Sequence, residues 1–422
     1  MSGVAAAILA SSAAQAGGFY LQEQSAKSVG RAFSGEVADQ GPESLWWNPA
    51  AIAGSRGGNA YLGATYIRPS GSVRDTGTVI VRPGQAPAGV GGNGVSEDPI
   101  NTGVLPSGAV SYALNDQFAV GLALTSPFSF TTDYEDNSWA RYTADKTSLR
   151  TIDIQPTIAW APNDFLRLGV GLNIEHADAT LSNALPNLSA ALGDGYQELE
   201  GAGWDLGWSA GMQVDLGGAV VGFSYKSSIE HKLDGTIAIS GLAGPLAAQN
   251  REQDARATFS TPWQLIGGIR APVNDRLTLN LQASRVGWSE FDAIELGAPI
   301  NQAIPENYRN TWNVAVGADY QASPELTLRA GVQYDETPTR DGERDARVPD
   351  SNRWNYAVGA SYDLSDRYAI DGGFMYTDIG GATIDRTTAA FPGTPVQTPV
   401  LVSGALEDGK ALVFSLGARA RF

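Results

Sequence analysis

Nearly every apolar stretch of this chain alternates with a period of two residues, and the alternation continues to the C-terminal Phe422. In the last stretch the larger apolar residues share one face: Leu412, Phe414, Leu416, Ala418, Ala420 and Phe422. Successive side chains of a β-strand point to opposite faces, so each stretch has one apolar face and one small or polar face. The pattern covers about 350 residues without a helical interlude. It favours a closed barrel with lipid outside and a polar lumen inside.

Composition removes several other classes of protein. No run approaches the roughly 18 apolar residues of a membrane-spanning helix, so a helical membrane protein is not predicted. The chain has no Cys, which excludes disulfides, thiol catalysis and thiolate metal sites. Its net charge of −17 argues against nucleic acid as a partner. The sequence has no nucleotide or metal motif, so we expect no cofactor and no metal, and any transport should be passive.

The chain divides into three segments. Residues 1–16 are expected to be the remnant of a signal peptide, because Ala14-Gln15-Ala16 resembles an A-x-A cleavage site. Residues 17–57 lack any sustained period, and residues 58–422 hold about fourteen period-two stretches. These predict an all-β fold, a transmembrane antiparallel β-barrel of about 14 strands. The strands are expected near 60–69, 107–114, 118–134, 150–160, 166–174, 204–216, 221–229, 263–271, 277–288, 312–320, 326–334, 354–362, 368–376 and 411–422.

Trp and Tyr recur near the strand ends and predict two aromatic girdles at the membrane surfaces. The alternative is that aromatic residues merely favour strands. The residues concerned are Trp160, Trp204, Trp288, Trp312, Tyr320, Tyr334, Trp354, Tyr362 and Tyr376.

Residues 17–57 are expected to fill the lumen as an N-terminal hatch, or plug. A barrel of this size without a plug would be an aqueous channel. The alternative is a disordered periplasmic tail, but the segment is too apolar for that, with Phe19, Phe33, Leu45, Trp46 and Trp47.

The stretch from Gly18 to Ala50, with GRAFSGE at residues 30–36 and then Asn48-Pro49-Ala50, resembles the hatch of the FadL-type long-chain fatty acid transporters. Further similar blocks follow in order: Gly287-Trp288-Ser289-Glu290-Phe291, Tyr334-Asp335-Glu336-Thr337-Pro338, Val348-Pro349-Asp350 and Arg353-Trp354. The resemblance covers nearly all of the chain after residue 16.

The resemblance implies a plugged fourteen-stranded barrel in the bacterial outer membrane that takes up long-chain fatty acids passively. In some branches of the family the ligand is an aromatic hydrocarbon. Outer loops would capture the ligand, a lumenal pocket near Phe19, Tyr20, Leu21 and Phe33 would hold it, and a gap in the wall would release it sideways. The expected partners are the hydrophobic ligand, outer-membrane lipid and lipopolysaccharide, and the protein is expected to be a monomer.

A sideways gap needs an interrupted strand, and the third strand contains Ser126-Pro127-Phe128. Proline cannot donate to a strand ladder and belongs at edges or bulges. The alternative is a bulge without a passage.

Ligand capture would use apolar loop residues. Leu185, Leu188 and Leu192 are spaced roughly as one helical face, and Leu242 and Leu246 lie in a later loop. Alternatively, these leucines are buried against one another.

A fatty carboxylate needs a cation. The family has a basic residue near the end of the fifth strand, but this chain reads Glu175-His176-Ala177-Asp178 there. Arg309 is the better candidate, and a protonated His176 could assist, although a lone His is more often a polar wall residue. This departure leaves uptake of aromatic or other neutral hydrocarbons open as the alternative function.

Two other functional classes fit the sequence less well. A porin for polar solutes would lack a hatch. A hydrolase would need His176 or His231 beside a nucleophile, and neither has a nucleophile motif nearby, so no enzymatic activity is expected.

Overall fold

The computed structural model describes residues 17–298 and 300–422, so the expected signal-peptide remnant at 1–16 lies outside the described residues. The strands in chain order are β1 (Gly58–Asp75), β2 (Val79–Ile80), β3 (Ala88–Gly89), β4 (Val95–Glu97), β5 (Gly103–Ala113), β6 (Phe118–Thr125), β7 (Ser129–Asp133), β8 (Lys146–Trp160), β9 (Leu166–Leu185), β10 (Gly195–Asp215), β11 (Val220–Lys226), β12 (Ile229–Ser240), β13 (Arg251–Thr261), β14 (Trp263–Pro272), β15 (Leu277–Gly287), β16 (Ala293–Leu296), β17 (Gln302–Pro305), β18 (Thr311–Gln321), β19 (Leu326–Asp335), β20 (Arg353–Asp363), β21 (Tyr368–Ile379), β22 (Ala382–Ala390) and β23 (Thr398–Arg421). One short α-helix, α1 (Ala26–Val29), and 3₁₀ turns at Glu36–Ala38, Pro42–Ser44, Pro49–Ile52, Gly244–Gln249 and Trp288–Glu290 accompany them.

Within the described residues, fourteen of these strands form one closed antiparallel barrel. The last strand, β23, pairs back onto β1 from Asn59↔Arg421 to Asp75↔Gly404. The order around the ring is β1, β5, β6, β8, β9, β10, β11, β14, β15, β18, β19, β20, β21 and β23. The predicted fold class is therefore confirmed.

In the part of the chain that the structure describes, no helix has the length and hydrophobicity needed to cross a bilayer.

The period-two pattern corresponds to the two faces of the wall. On β23, Val413 and Ser415 point inward and are buried, whereas Leu416 on the outer face is 73% exposed. The same alternation continues along β8 and β9. Apolar side chains exposed outward are those that lipid would cover.

Several strands extend well past their predicted ends on the long-loop side. β9 and β10 stay paired as far as Leu185↔Gly195, and β12 pairs with β13 in the same way. Leu185 therefore ends a strand, and the predicted helical face from Leu185 to Leu192 was wrong. The two strands stay paired because each one satisfies the backbone N–H and C=O groups of the other. The spacing of the leucines in the sequence gives no information on this pairing.

Residues 17–57, here called the N-terminal segment, are almost entirely buried against the inner face of the wall. The N-terminal segment contacts the wall at inward-facing glycines. A Cβ added to any of these glycines would lie within 3.0 Å of an atom of the segment. These glycines are Gly121, Gly169, Gly211, Gly222, Gly268, Gly317, Gly331, Gly359 and Gly373. At Gly169, Gly222, Gly331, Gly359 and Gly373 the close atoms belong to the backbone of the segment, which leaves no room for a side chain on the wall.

Candidate functional site

An apolar pocket lies between the N-terminal segment and the long-loop side of the wall, with about 710 Å³ of atom-free space including its mouth. It is lined by Phe19, Phe130, Thr147, Ser148, Leu149, Ala179, Leu181, Leu199, Glu200, Gly201, Leu233, Ala255, Ala257, Phe259, Phe291, Ile294, Glu306, Arg347 and Val348.

Phe19 is the residue of the N-terminal segment that forms part of this pocket. Its ring centroid lies 4.8 Å from that of Trp288, 5.0 Å from that of Phe291 and 5.5 Å from that of Phe130. Trp288 is fully buried here and does not belong to a membrane girdle, contrary to prediction. The reason is local, because β15 ends at Gly287 and the 3₁₀ turn that follows breaks the alternation.

The other predicted residues of the N-terminal segment lie beside or below the pocket. The Tyr20 hydroxyl donates to Oε1 of Gln264 at 3.0 Å, and Leu21 is buried. Phe33 packs against Trp47, with 6.0 Å between the ring centroids, and does not line the pocket.

The charged side chains at the pocket are Glu200, Glu306 and Arg347. Nη1 of Arg347 lies 3.0 Å from Oδ2 of Asp345, while its Nε is buried without a hydrogen-bond partner among the described residues. Burial, with a smaller contribution from the Asp345 carboxylate, raises the pKa of Glu306 from 4.5 to about 7. The pocket therefore has a guanidinium with one free donor and a carboxyl group that is half protonated near neutral pH.

Neither predicted head-group residue lines this pocket. His176 is on the outer face of β9, 4.8 Å from the ring of Trp204, and the inward histidine is His231. Arg309 is exposed, and its Nε donates to the carbonyl of Thr337 at 3.2 Å, outside the pocket. Arg347 was missed because it belongs to a loop rich in both charges, although it directly precedes the Val348-Pro349-Asp350 block.

The predicted break in the third strand is present between β6 and β7. The last pair between β5 and β6 is Gly108↔Leu124, and residues 126–128 pair instead with the N-terminal segment. The amide of Ser129 donates to the carbonyl of Phe19 at 3.1 Å, and Nε2 of Gln24 donates to the carbonyl of Ser126 at 3.0 Å. The wall is thus closed at Pro127 by the N-terminal segment.

The beginning of the N-terminal segment is attached to two buried carboxylates. The amide of Gly17 donates to Oδ2 of Asp335, and the amide of Gly18 donates to Oδ2 of Asp350, both at 2.9 Å. Gly18 has φ = +72°, which favours glycine. These aspartates belong to the sequence blocks that gave the family resemblance.

The motif Asn48-Pro49-Ala50 begins a 3₁₀ turn wedged against β9 and β10. Oδ1 of Asn48 accepts from the amide of Ala50 at 2.9 Å, and its Nδ2 donates to the carbonyl of Val37 at 2.7 Å. A Cβ on Gly211 would overlap Asn48. The motif therefore fixes the N-terminal segment to the wall.

Arg31 forms a second attachment of the N-terminal segment to the wall, through a buried ionic network. Its Nη2 lies 2.6 Å from both Oε1 of Glu36 and Oδ2 of Asp39, and its Nη1 lies 3.3 Å from Oδ2 of Asp319 on β18. Removing one member of a buried ionic network leaves the others unpaired and costs several kcal/mol. Arg31 thus fixes residues 31–39 of the N-terminal segment to β18.

The predicted capture leucines do not form an open apolar patch. Leu185, Leu242 and Leu246 are buried together with Phe391, and Leu188 packs against them. Leu192 is exposed and lies outside this cluster. The cluster is thus a small core that joins three loops.

The family model described as "Outer membrane protein transport protein (OMPP1/FadL/TodX)" matches residues 7–422. The chain belongs to this family. The FadL family comprises outer-membrane transporters of long-chain fatty acids and aromatic hydrocarbons, and the protein is accordingly located in the bacterial outer membrane and transports hydrophobic small molecules.

Individual FadL-family relatives agree with this assignment. A long-chain fatty acid transport protein of Escherichia coli O6:H1 is 27% identical over 82% of this chain and 83% of its own length. The crystal structure of a Pseudomonas aeruginosa FadL homologue matches with a TM-score of 0.83 and 25% identity, over 96% of this chain and 100% of that chain. The toluene transporter TbuX of Ralstonia pickettii shares the fold, with a TM-score of 0.64 and 18% identity over 94% of this chain and 98% of that chain.

Proposed function

We propose that this protein takes up long-chain fatty acids passively, holds the acyl chain in the apolar pocket and releases it sideways at the break between β6 and β7. One observation carries the proposal: Phe19 lines the pocket, and the backbone of residues 19–21 bonds to residues 127–129 at the break in the wall. A ligand that displaces Phe19 therefore strains the same three residues whose backbone closes the break. Binding and opening are coupled through one short stretch of chain, and the N-terminal segment acts as a hatch.

The energetics favour a sideways route. Each methylene removed from water gains about 0.8 kcal/mol, so a tail of roughly fifteen methylenes gains on the order of 12 kcal/mol. A water-filled route would forfeit that free energy along its length. A step from an apolar pocket through the wall into the bilayer keeps the tail out of water.

Arg347 favours a fatty acid over a neutral hydrocarbon. Its Nε is a buried donor without a hydrogen-bond partner in the part of the chain that the structure describes, and such a group is costly unless a ligand satisfies it. A carboxylate accepts from that donor, whereas toluene cannot. The name of the E. coli relative, a long-chain fatty acid transport protein, points the same way.

The second candidate is uptake of aromatic hydrocarbons by the same route. It is favoured by the shared fold of the toluene transporter TbuX and by the aromatic side chains of Phe19, Phe130, Phe259 and Phe291 around the pocket.

For capture at the outer surface, we propose that the cluster of Leu185, Leu188, Leu242 and Leu246 opens to admit the tail, since three of these leucines are buried when the loops are closed. Exposed Leu192 would make the first contact.

Competition binding decides between the two substrates. We expect palmitate to displace a fluorescent fatty acid from the purified protein in detergent, and toluene to displace it poorly. Arg347→Gln should weaken palmitate binding by roughly 10- to 100-fold, the range of a charged hydrogen bond. Arg309→Gln serves as the matched control and should bind palmitate normally. Equal displacement by toluene, with no effect of Arg347→Gln, would favour the hydrocarbon.

A further inference from the structure

The outer wall has an apolar groove across β18 to β21, with about 1,120 Å³ of atom-free space. Val316, Tyr356 and Val358 stand out from the wall at its sides, while Ala318 and Ala330 leave its floor low. The groove is on the lipid face of the wall, whereas the pocket described above faces the lumen. Its shape suits an acyl chain lying along the wall.

A second groove of about 1,420 Å³ lies next to the long-loop ends of the same strands. Arg309 and Arg340 are exposed in it. Its acidic residues are neutralised, because Asp341 lies 2.8 Å from Nη1 of Arg344 and Glu407 is paired with Arg74. Among the described residues, neither Arg309 nor Arg340 has an ion-pair partner.

Strand β20 connects the two grooves. Tyr356 borders the apolar groove and Asn352 the cationic one, a separation of four residues or about 13 Å along an extended chain. Between them Trp354 is exposed on the outer face, with its ring centroid 5.0 Å from that of Tyr334. Such aromatic pairs settle at the headgroup level of a membrane, so the two arginines lie just beyond it, at the depth of lipid phosphates.

We propose that this face of the barrel binds one molecule of lipopolysaccharide. The acyl chains occupy the apolar groove, and the phosphates of the lipid head are held by Arg309 and Arg340. Guanidinium groups match phosphate oxygens in a two-pronged geometry, and phosphate supplies the negative charge that the unpaired arginines lack. The site does not depend on the transported ligand, because it lies on the outer face of the wall.

The first test measures binding of a deep-rough lipopolysaccharide to the purified protein, by native mass spectrometry in detergent. The double substitution Arg309→Gln and Arg340→Gln should weaken binding on the order of thirtyfold, given the contribution of each arginine near an anionic surface. The matched control is Arg276→Gln with Arg367→Gln, which removes two exposed arginines at the opposite rim and should change nothing. Equal affinity of the first variant and the wild type would overturn the proposal.

The second test separates the two halves of the site. Ala330→Trp fills the apolar groove and should weaken binding while both arginines remain, whereas Ala418→Trp, at another exposed outer-face alanine, should not. Lipopolysaccharide stripped of its phosphates should bind the wild type as weakly as intact lipid binds the double arginine variant. If the stripped lipid or phosphatidylglycerol binds as well as the intact lipid, the proposed site is wrong.

Discussion

The backbone N–H of Leu21 donates a hydrogen bond to the carbonyl oxygen of Pro127, with 2.7 Å between N and O. Together with the bond from Ser129 to Phe19, it makes Tyr20 and Phe128 an opposed antiparallel pair. The N-terminal segment thus supplies, from inside the lumen, pairing that β5 does not provide at this point. On the side of β5, closure of the wall at this point depends on these few hydrogen bonds.

Locking this contact should stop transport. The chain has no Cys, so Tyr20→Cys with Phe128→Cys introduces the only possible disulfide. Tyr20 and Phe128 form a non-hydrogen-bonded antiparallel pair. The Cα atoms of such a pair are about 4.5 Å apart, a distance that is compatible with a disulfide. We expect the oxidised protein to take up fatty acid at a small fraction of the rate of the reduced protein, with single-Cys variants insensitive to reductant. Uptake at the same rate in both redox states would show that the ligand leaves elsewhere.

Deleting Gly18–Leu21 should weaken ligand retention roughly 10- to 100-fold. The deletion removes Phe19 from the pocket, and burial of a phenylalanine side chain is worth about 1.5–3 kcal/mol. Titration with a fluorescent fatty acid in detergent measures the loss. The barrel should remain folded, as shown by heat-modifiable migration in gels, because the strands pair with one another. Unchanged binding would exclude Phe19 from the ligand site.

Binding of an anionic ligand should weaken as pH rises from 6 to 8. The pKa of Glu306 is raised from 4.5 to about 7 by burial, so the neutral form is retained below pH 7 and is lost as pH passes through that value. Above it, the carboxylate repels an anionic head group held at Arg347. An alkyl sulfate, charged throughout this range, isolates the effect of the protein. Glu306→Gln should flatten the profile, and a pH dependence that survives this substitution would implicate another group.

Asn48→Ala should loosen the N-terminal segment without unfolding the barrel. It removes the cap of the 3₁₀ turn and the hydrogen bond to the carbonyl of Val37, each worth about 1 kcal/mol, while that carbonyl keeps its bond from Nε2 of Gln213 at 3.1 Å. Hydrogen exchange at the amides of residues 36–53 should accelerate accordingly. Asn115→Ala, in an exposed turn at the rim, is the control and should leave this exchange unchanged. Equal protection in the Asn48 and Asn115 variants would contradict the role given to the motif.

The wall was predictable from the sequence because strand geometry is local. Successive residues of a strand face opposite sides, so Val413 and Phe414 must lie on different faces of the wall. The break at Pro127 follows because proline has no backbone N–H to donate to a neighbouring strand. The sequence blocks that resemble the FadL family also contain Asn48 and Asp350, which fix the N-terminal segment in place. Where the alternation stops, prediction failed: Trp288 turns inward at the start of a 3₁₀ turn, and the leucines near Leu188 belong to a small core between loops.

The sequence by itself determined that this protein is a barrel, which face of each strand meets lipid and where one strand is interrupted. Only the tertiary structure decided the composition of the pocket, in which Phe19, Phe130 and Phe291 meet, and placed Arg347 there in preference to Arg309 or His176. The reason is physical. Alternation fixes the direction of a side chain within its own strand, but contacts across the lumen depend on ring closure and on loop paths that join residues hundreds of positions apart.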